Sequence, residues 1–400
     1  MTPARRLEIL VILGSLAAFA PLSIDMYLPS MPQLEGVFHA TSGQVQWTLA
    51  AFFLGFAAGQ TLYGPVTDRF GRKGPLYFGM SLYVLASLGC ALAPSIWAMA
   101  FFRLMQALGA CSGAVISRAV VRDLFPPLES RRVFATLLLV NGLAPMIAPL
   151  VGSYLLLWFG WKSIFLALGT GGLLCLPGVR LRLPETLGVP QPLSLGNTFV
   201  TYRLLLADRL FLGAALAVGF STMGLFAYIA GAPFVLMNLY HLQPQSFGWI
   251  FSMNAVGVII GSQTTGRLLH GVSPEKTMRS AAVVQLLCGT ALVVVSLTGF
   301  GGLVAVCVPL FLYLTCVGFV FPSAVALALS HHGRVAGMAS ALLGTMQFGL
   351  AGLSTLGLGT LPITTATPMA AFILVAGALG VVVNVFVIGR KFEMNLSAVS

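Results

Sequence analysis

The sequence predicts an all-α membrane protein of twelve transmembrane helices, arranged as two six-helix pseudo-repeats. Three observations carry this. The chain of 400 residues is 58% hydrophobic and only 8% charged, whereas a soluble domain carries about 25% charge. A soluble globule built from it would lack the charge to cover its surface. Twelve apolar segments follow one another, each long enough to span a hydrocarbon core of about 30 Å at 1.5 Å per helical residue. The basic residues then fall on one side of the membrane when the segments alternate in direction. The 45 glycines and 22 prolines agree with this class, because transmembrane helices tolerate both.

The first segment, Leu7–Met31, follows Arg5 and Arg6 and contains Ala18-Phe19-Ala20, the outline of a cleavable leader. Its apolar run continues to Met31, too far for a leader core, and Pro21 would follow the cut directly. It therefore reads as a span. The others are Val45–Val66, Leu76–Ala93, Ile96–Ile116, Val133–Leu155, Ser163–Leu181, Leu210–Leu236, Phe247–Leu269, Met278–Leu297, Leu303–Leu329, Val335–Leu356 and Pro368–Ile388. The longest polar connection, Pro184–Asp208, carries Pro184, Glu185, Pro190 and Pro192. It divides the chain into a first half over 1–183, a linker over 184–208 and a second half over 209–400.

With the amino terminus in the cytoplasm, the inner ends and loops hold Arg5, Arg6, Arg69, Arg72, Lys73, Arg118, Arg122, Arg131, Arg132, Arg180, Arg182, Arg203, Arg209, Arg267, Lys276, Arg279, Arg334, Arg390 and Lys391. The outer loops hold Lys162 alone, and Arg103 lies within a span. This is the positive-inside pattern, and it places both termini in the cytoplasm. The net charge of +11 is thus a topology signal and not the footprint of a nucleic-acid partner.

The halves share a repeat. Gly55, Gly59, Gly64 and Asp68 of span two recur as Gly257, Gly261, Gly266 and His270 of span eight, each 202 residues on. Parallel six-span repeats build one large class of secondary transporters. The Gly-x3-Gly pairs themselves read as close helix packing.

Ionisable groups inside spans are costly and by default functional. Here they are Asp25 in span one and Arg103 in span four; spans seven to twelve carry none in their interiors. Asp25 lies about 9 Å by helix rise from the outer end of span one, and Arg103 about 10 Å from the outer end of span four. The two can share one level. Burial disfavours a charged carboxylate and a neighbouring guanidinium favours it, so Asp25 reads as a switchable proton carrier, with a static ion pair as the alternative. Pro29 deletes the amide that would bond the Asp25 carbonyl, and Pro21, Pro145 and Pro149 do the same for residues 17, 141 and 145. With Gly142 and Gly152 they mark where helices bend. Gln60, Asn141, Asn254 and Gln347 are polar at mid-span, and Tyr27, Phe52, Phe56, Tyr228 and Phe348 offer aromatic surface. They are candidates for substrate contact, with ordinary packing the competing reading. A mostly apolar cavity with few polar groups suits lipophilic compounds.

The six cysteines all sit in apolar runs without a C-x-x-C pair and read as buried hydrophobes. The adjacent His331 and His332 are a poor metal geometry and read as solvated, as does Glu35. No metal site, cofactor, hydrolase elbow, zincin motif or phosphate loop is present in the sequence. Neither an enzyme nor an ATP-driven pump is indicated.

The end of span two reads Gly64-Pro-Val-Thr-Asp68-Arg69-Phe-Gly71-Arg72-Lys73. This resembles the signature loop of the major facilitator superfamily, in its position between spans two and three. Arg103-Leu-Met-Gln106-Ala-Leu-Gly109 is similar to the R-x-x-Q-G motif of proton-coupled members, with Ala107 where glycine usually stands. Asn141-Gly142-Leu-Ala-Pro145-Met-Ile-Ala-Pro149-Leu-Val-Gly152 looks like the motif of drug exporters. With Asp25-Met-Tyr27-Leu-Pro29-Ser-Met-Pro32, it resembles the bicyclomycin/chloramphenicol resistance branch of the drug:proton antiporters.

The resemblance implies the major facilitator fold and a monomer in the bacterial inner membrane. It implies proton-coupled efflux of a small lipophilic substrate, with the proton as coupling ion and lipid as the surroundings. Export of an endogenous metabolite or amino acid on the same scaffold is the alternative. The signature loop (Gly64, Asp68, Arg69, Gly71, Arg72, Lys73) is then a cytoplasmic latch. In it Gly64 and Gly71 allow close approach and a tight turn. Asp68 is expected to accept hydrogen bonds at a helix amino terminus, and the basic residues to pair with acids or lipid phosphates.

Overall fold

The computed structural model describes residues 3–188, 195–268, 271–330, 332 and 335–388. Pro190, Pro192, His270, His331, Arg334, Arg390 and Lys391 lie outside the described residues, and so do the side chains of Arg131 and Arg267. Among the described residues the chain is helical and has no strand. It divides into two compact units, Met1–Gly196 and Asn197–Ser400.

The first unit contains α1 (Pro3–Asp25), the short α2 (Met31–Phe38), α3 (Ser42–Phe70), α4 (Lys73–Ala91), α5 (Ile96–Leu124), α6 (Pro127–Phe159) and α7 (Lys162–Leu181). A connecting helix α8 (Leu195–Ala207) leads to α9 (Arg209–Pro233), α10 (Pro244–Leu268), α11 (Pro274–Thr298), α12 (Gly302–Leu329), α13 (Ala336–Leu358) and α14 (Thr367–Val383). Polar residues at the starts hold free amides: Thr41 and Gln44 form a capping box at α3, and Ser95, Asp208 and Ser273 cap α5, α9 and α11.

Eleven described helices are long and apolar enough to cross a membrane; the first runs from Arg5 to Phe38 through a break after Asp25. The twelfth span is α10. It has the length, at 25 residues, but Ser252, Asn254, Ser262, Gln263, Thr264 and Thr265 lower its mean hydropathy. Much of the apolar surface points outward: Trp158 and Phe159 of α6 are 66% and 71% exposed. Such faces require lipid around them.

Each unit repeats the packing of the other. In the first, α1 packs on α5, α6 and α7, α3 on α5, and α4 on α5 and α7. In the second, α9 packs on α12, α13 and α14, α10 on α12, and α11 on α12 and α14. The glycine stripe does what small residues do at crossings. A Cβ on Gly55 would stand 2.6 Å from the Leu104 carbonyl, and one on Gly59 2.7 Å from the Cys111 Cβ. Gly257 and Gly261 meet Thr315 of α12 in the same way. Gly64 departs from expectation. It lies inside α3, and a Cβ there would meet nothing within 4 Å, so it makes neither a turn nor a close approach. The repeat extends to backbone conformation: among the described residues, the non-glycine residues with positive φ are His39 (48°) and His241 (53°), again 202 apart.

Candidate functional site

The break in the first span shapes the site. Helix α1 stops at Asp25, and a 3-10 turn over Leu28–Ser30 contains Pro29. Ser30 closes that turn by donating from both its amide and its hydroxyl to the Tyr27 carbonyl, at 3.0 and 2.7 Å. Gly152 of α6 presses against the backbone of Met26, where an added Cβ would collide with the carbonyl. Gly152 is thus a contact point for the break. Pro145 and Pro149 lie within α6, which runs on through them to Phe159, and Pro21 lies within α1.

Asp25 is buried, 4% exposed. Its carboxylate has no ion pair and no hydrogen bond among the described residues. Arg103 of α5 is fully buried. Its Nη1 donates to the Ser23 carbonyl and to Gln106 Oε1, both at 2.8 Å. The guanidinium lies over Phe52 and Tyr27, 4.4 and 4.6 Å from the ring centroids, with Phe165 at 5.9 Å. Cation–π attraction supports a desolvated guanidinium in such a box. Nε and Nη2 of Arg103 are buried without an acceptor. So the cation reaches the helix turn that carries the acid, at Ser23, without touching the acid. The static ion pair is not the arrangement seen.

A ring of neutral groups surrounds this contact. Gln106 Nε2 donates to Ser87 Oγ (2.8 Å), and Ser87 Oγ donates to the Tyr83 carbonyl (2.7 Å). The Tyr83 hydroxyl shares a hydrogen bond with Ser23 Oγ (2.8 Å). Tyr27, in turn, bonds Thr48 through its hydroxyl at 2.7 Å. Helices α1, α3, α4 and α5 are thereby tied around one polar spot in an apolar bundle.

The second unit has a neutral counterpart. Gln285 Nε2 of α11 donates to Ser221 Oγ of α9 (2.7 Å), and the Tyr313 hydroxyl of α12 donates to the Ser221 carbonyl (3.3 Å). Further along α9, the Tyr228 hydroxyl accepts from Asn254 of α10 (2.9 Å), and the Tyr228 ring stacks on Phe251.

At the far end of the first unit lies the signature loop. Arg72 Nη1 pairs with Asp68 Oδ1 at 2.6 Å and also reaches Thr67, while its Nε pairs with Asp123 Oδ2 at 3.0 Å. Asp123 also accepts from the Thr186 hydroxyl. The Glu185 carboxylate accepts the amides of Arg72 (2.8 Å), Lys73 (3.1 Å), Thr186 (2.9 Å) and Leu187 (3.0 Å). Partial burial works against its charge, but these four amides outweigh that and hold the carboxyl below its ordinary range. Burial likewise opposes the Arg72 charge, and Asp68 and Asp123 outweigh it, so its pKa lies above the ordinary value. Gly71 has φ 86°, and a Cβ there would fall 2.5 Å from Glu185 Oε2, so glycine is required twice over. Asp68 corrects the expectation: it lies in the last turn of α3, not at a helix amino terminus, and serves Arg72 instead. Arg69 stands over the Phe70 ring.

The structure brings Tyr27, Phe52 and Arg103 together, with Phe56 stacked on Phe52 at 6.4 Å, and buries Asp25 two residues beyond Ser23, whose carbonyl Arg103 holds. Gln60 accepts from Arg118 (3.1 Å), and Asn141 spends its amide on the Leu137 carbonyl of its own helix. Phe348 packs on Phe226, and Gln347 is half-buried. His332 corrects a reading: it bonds Asp208 at 2.9 Å and packs on Phe211, so it is not simply solvated. Ser23, Tyr83, Phe165, Asp123, Glu185, Gln285 and Tyr313 are participants that sequence reasoning missed. One signal was available, since Tyr83 and Gln285 are themselves 202 apart.

Two like units of membrane-spanning helices, with a buried acid and a buried cation in one of them, define a secondary transporter of the parallel-repeat class. The chain belongs to the Major Facilitator Superfamily, whose family model matches residues 13–355. It is 38% identical over 383 residues to the uncharacterized MFS-type transporter YdgK of Bacillus subtilis, covering 95% of both chains. It is 32% identical over 360 residues to the bicyclomycin resistance protein homolog of Haemophilus influenzae, covering 89% of this chain and 90% of that one. Its fold is that of the partially occluded, inward-open xylose transporter XylE from E. coli, with TM-score 0.74, 13% identity and 95% and 96% of the two chains covered.

Proposed function

We propose that the protein exports lipophilic drugs, of the bicyclomycin or chloramphenicol kind, across the bacterial cytoplasmic membrane in exchange for protons. The observation that carries this is the buried Asp25 carboxylate, without a partner among the described residues, two residues beyond the Ser23 carbonyl that a buried guanidinium with two spare donors holds. A group held so alternates between two conditions. Neutral, it tolerates the apolar surroundings; ionised, it needs Arg103 or a substrate donor beside it. Protonation from outside and substrate binding from inside thus compete at one place, which is what antiport requires. The named resistance of the Haemophilus relative supports a drug as the cargo.

Residues 1–183 and 209–400 act as the two moving halves, joined by 184–208, and alternating access exposes the site to each side in turn. Both termini and the linker lie in the cytoplasm, and the protein works as a monomer without cofactor. Substrate contact falls to Tyr27, Phe52, Phe56, Gln60, Asn141, Tyr228, Asn254, Gln347 and Phe348. Gly64, Asp68, Arg69, Gly71, Arg72 and Lys73 serve as the cytoplasmic latch. The test is uptake of labelled chloramphenicol into inverted vesicles with and without an imposed proton gradient. Gradient-dependent uptake, lost in Asp25→Asn, is expected. Uptake indifferent to the gradient contradicts proton exchange, and uptake of amino acids in place of drug favours metabolite export.

A further inference from the structure

We infer that Tyr83 is a positioning residue for Asp25: by holding Ser23 it sets where the carboxylate stands relative to Arg103, and so the pH at which the acid exchanges its proton. The inference rests on the coupling role proposed above for Asp25. Ser23 is two residues before Asp25 and is gripped at two atoms, its carbonyl by Arg103 and its hydroxyl by Tyr83. Tyr83 is itself immobilised. It is fully buried, its ring packs on Phe19 at 4.9 Å, and α5 and α7 approach it at glycines. A Cβ on Gly109 would stand 2.6 Å from the Tyr83 amide, and one on Gly172 2.9 Å from its ring. A tyrosine fixed from three helices and spending its hydroxyl on Ser23 acts as a strut between α4 and the last turn of α1.

The second unit shows what this strut is without an acid. Ser221 is gripped at the same two atoms, by Tyr313 and Gln285, and the residue two further on is Met223. The two-point grip is common to both units; the acid is peculiar to the first. Among the ionisable groups on the elements around Asp25 are Arg103 on α5, Tyr83 and Cys90 on α4, Tyr27 on its own segment, Glu35 on α2 and His39 just after it, Tyr154 on α6, and Lys162 and Cys175 on α7. Tyr83 is the one among them that bonds Ser23 by its side-chain hydroxyl.

The test is a pH titration of the carboxylic C=O infrared band of the purified full-length protein, identified as the band that Asp25→Asn removes. Tyr83→Phe is expected to move its midpoint by about half a pH unit or more, the effect one ordinary hydrogen bond supplies. Ser23→Ala removes the same bond with a smaller change in packing and is expected to do likewise. Tyr313→Phe, which cuts the matching bond in the other unit, is expected to leave the midpoint in place. A wild-type midpoint in both Tyr83→Phe and Ser23→Ala overturns the inference. So does an equal shift in Tyr313→Phe, or the absence of any titrating band that Asp25→Asn removes. The titration needs no substrate, so loss of gradient-driven uptake in Asp25→Asn tests the coupling reading separately.

Discussion

In the first unit a serine near the end of the first helix takes a guanidinium at its carbonyl and a tyrosine at its hydroxyl; in the second, a serine takes a tyrosine and a glutamine at those same atoms. The helix pairs that make these crossings correspond one for one between the units. The first unit carries an acid two residues beyond its serine, the second Met223. A polar crossing of this kind is satisfiable by neutral groups alone, so packing does not require Arg103. A buried guanidinium that keeps two donors unspent is retained at a cost in desolvation. On this asymmetry between two otherwise matching crossings we propose that the proton chemistry belongs to the first unit and that the second contributes substrate contact.

The largest effect is expected at Arg103. Arg103→Ala strands the Ser23 carbonyl and Gln106 Oε1 and removes the cation held two residues before Asp25. We expect gradient-driven uptake to fall by about 100-fold or more, the scale of truncating one partner in a buried charged network. Retained uptake would mean that the guanidinium is structural, like Tyr313. Next comes Gly152→Ala, which forces a methyl against the Met26 backbone. Overpacking of this kind costs about 1–3 kcal/mol, read as a lowered Tm in detergent. Transport is expected to fall about tenfold as well, because the acid sits at that break. Gly261→Ala in the second unit should lower Tm comparably and affect uptake less.

The signature loop gives a smaller, pH-dependent effect. Glu185 is held below its ordinary pKa by four amides. A depressed acid contributes stability that is fully present above its unfolded value and is lost as pH falls through the folded one. The Glu185 clasp is thus intact at neutral pH and fails only in acid, below the ordinary carboxylate range. Glu185→Gln should lower Tm at pH 7 and narrow the wild-type difference as the buffer is acidified. An amide also cannot accept at both oxygens, so the amide of Lys73 loses its partner. The smallest effect is expected for Tyr313→Phe, about 1 kcal/mol of stability with uptake unchanged. A change in the pH dependence of uptake there would erase the distinction between the units.

Much of this was legible in the sequence, for physical reasons. Spans show because hydrocarbon demands long apolar runs, and Asp25 and Arg103 show because a charge inside such a run has no bland excuse. The break after Asp25 is written in Pro29. Illegible were partners that depend on which helices meet. Asp123 and Glu185 look like ordinary charges at helix ends, yet they reach Arg72 across 51 and 113 residues. Ser23 and Tyr83, like Ser221 and Gln285, are neutral polar residues in apolar runs, and only the packing shows that each pair is bonded. Asp68 was misplaced because α3 continues through Pro65 to Phe70, so the loop begins later than its glycines suggest. The left-handed His39 and His241 carry only a weak signal, as histidine is one of the residue types that tolerate that conformation.

In the mechanism proposed here, Asp25 alone carries the exchanged proton. The direct measurement is proton release on adding chloramphenicol to purified, detergent-solubilised protein in weak buffer. The wild type should release protons, and Asp25→Asn should bind the drug and release none, since no other acid lies in a span interior. Proton release at the wild-type level from Asp25→Asn would place the carrier elsewhere.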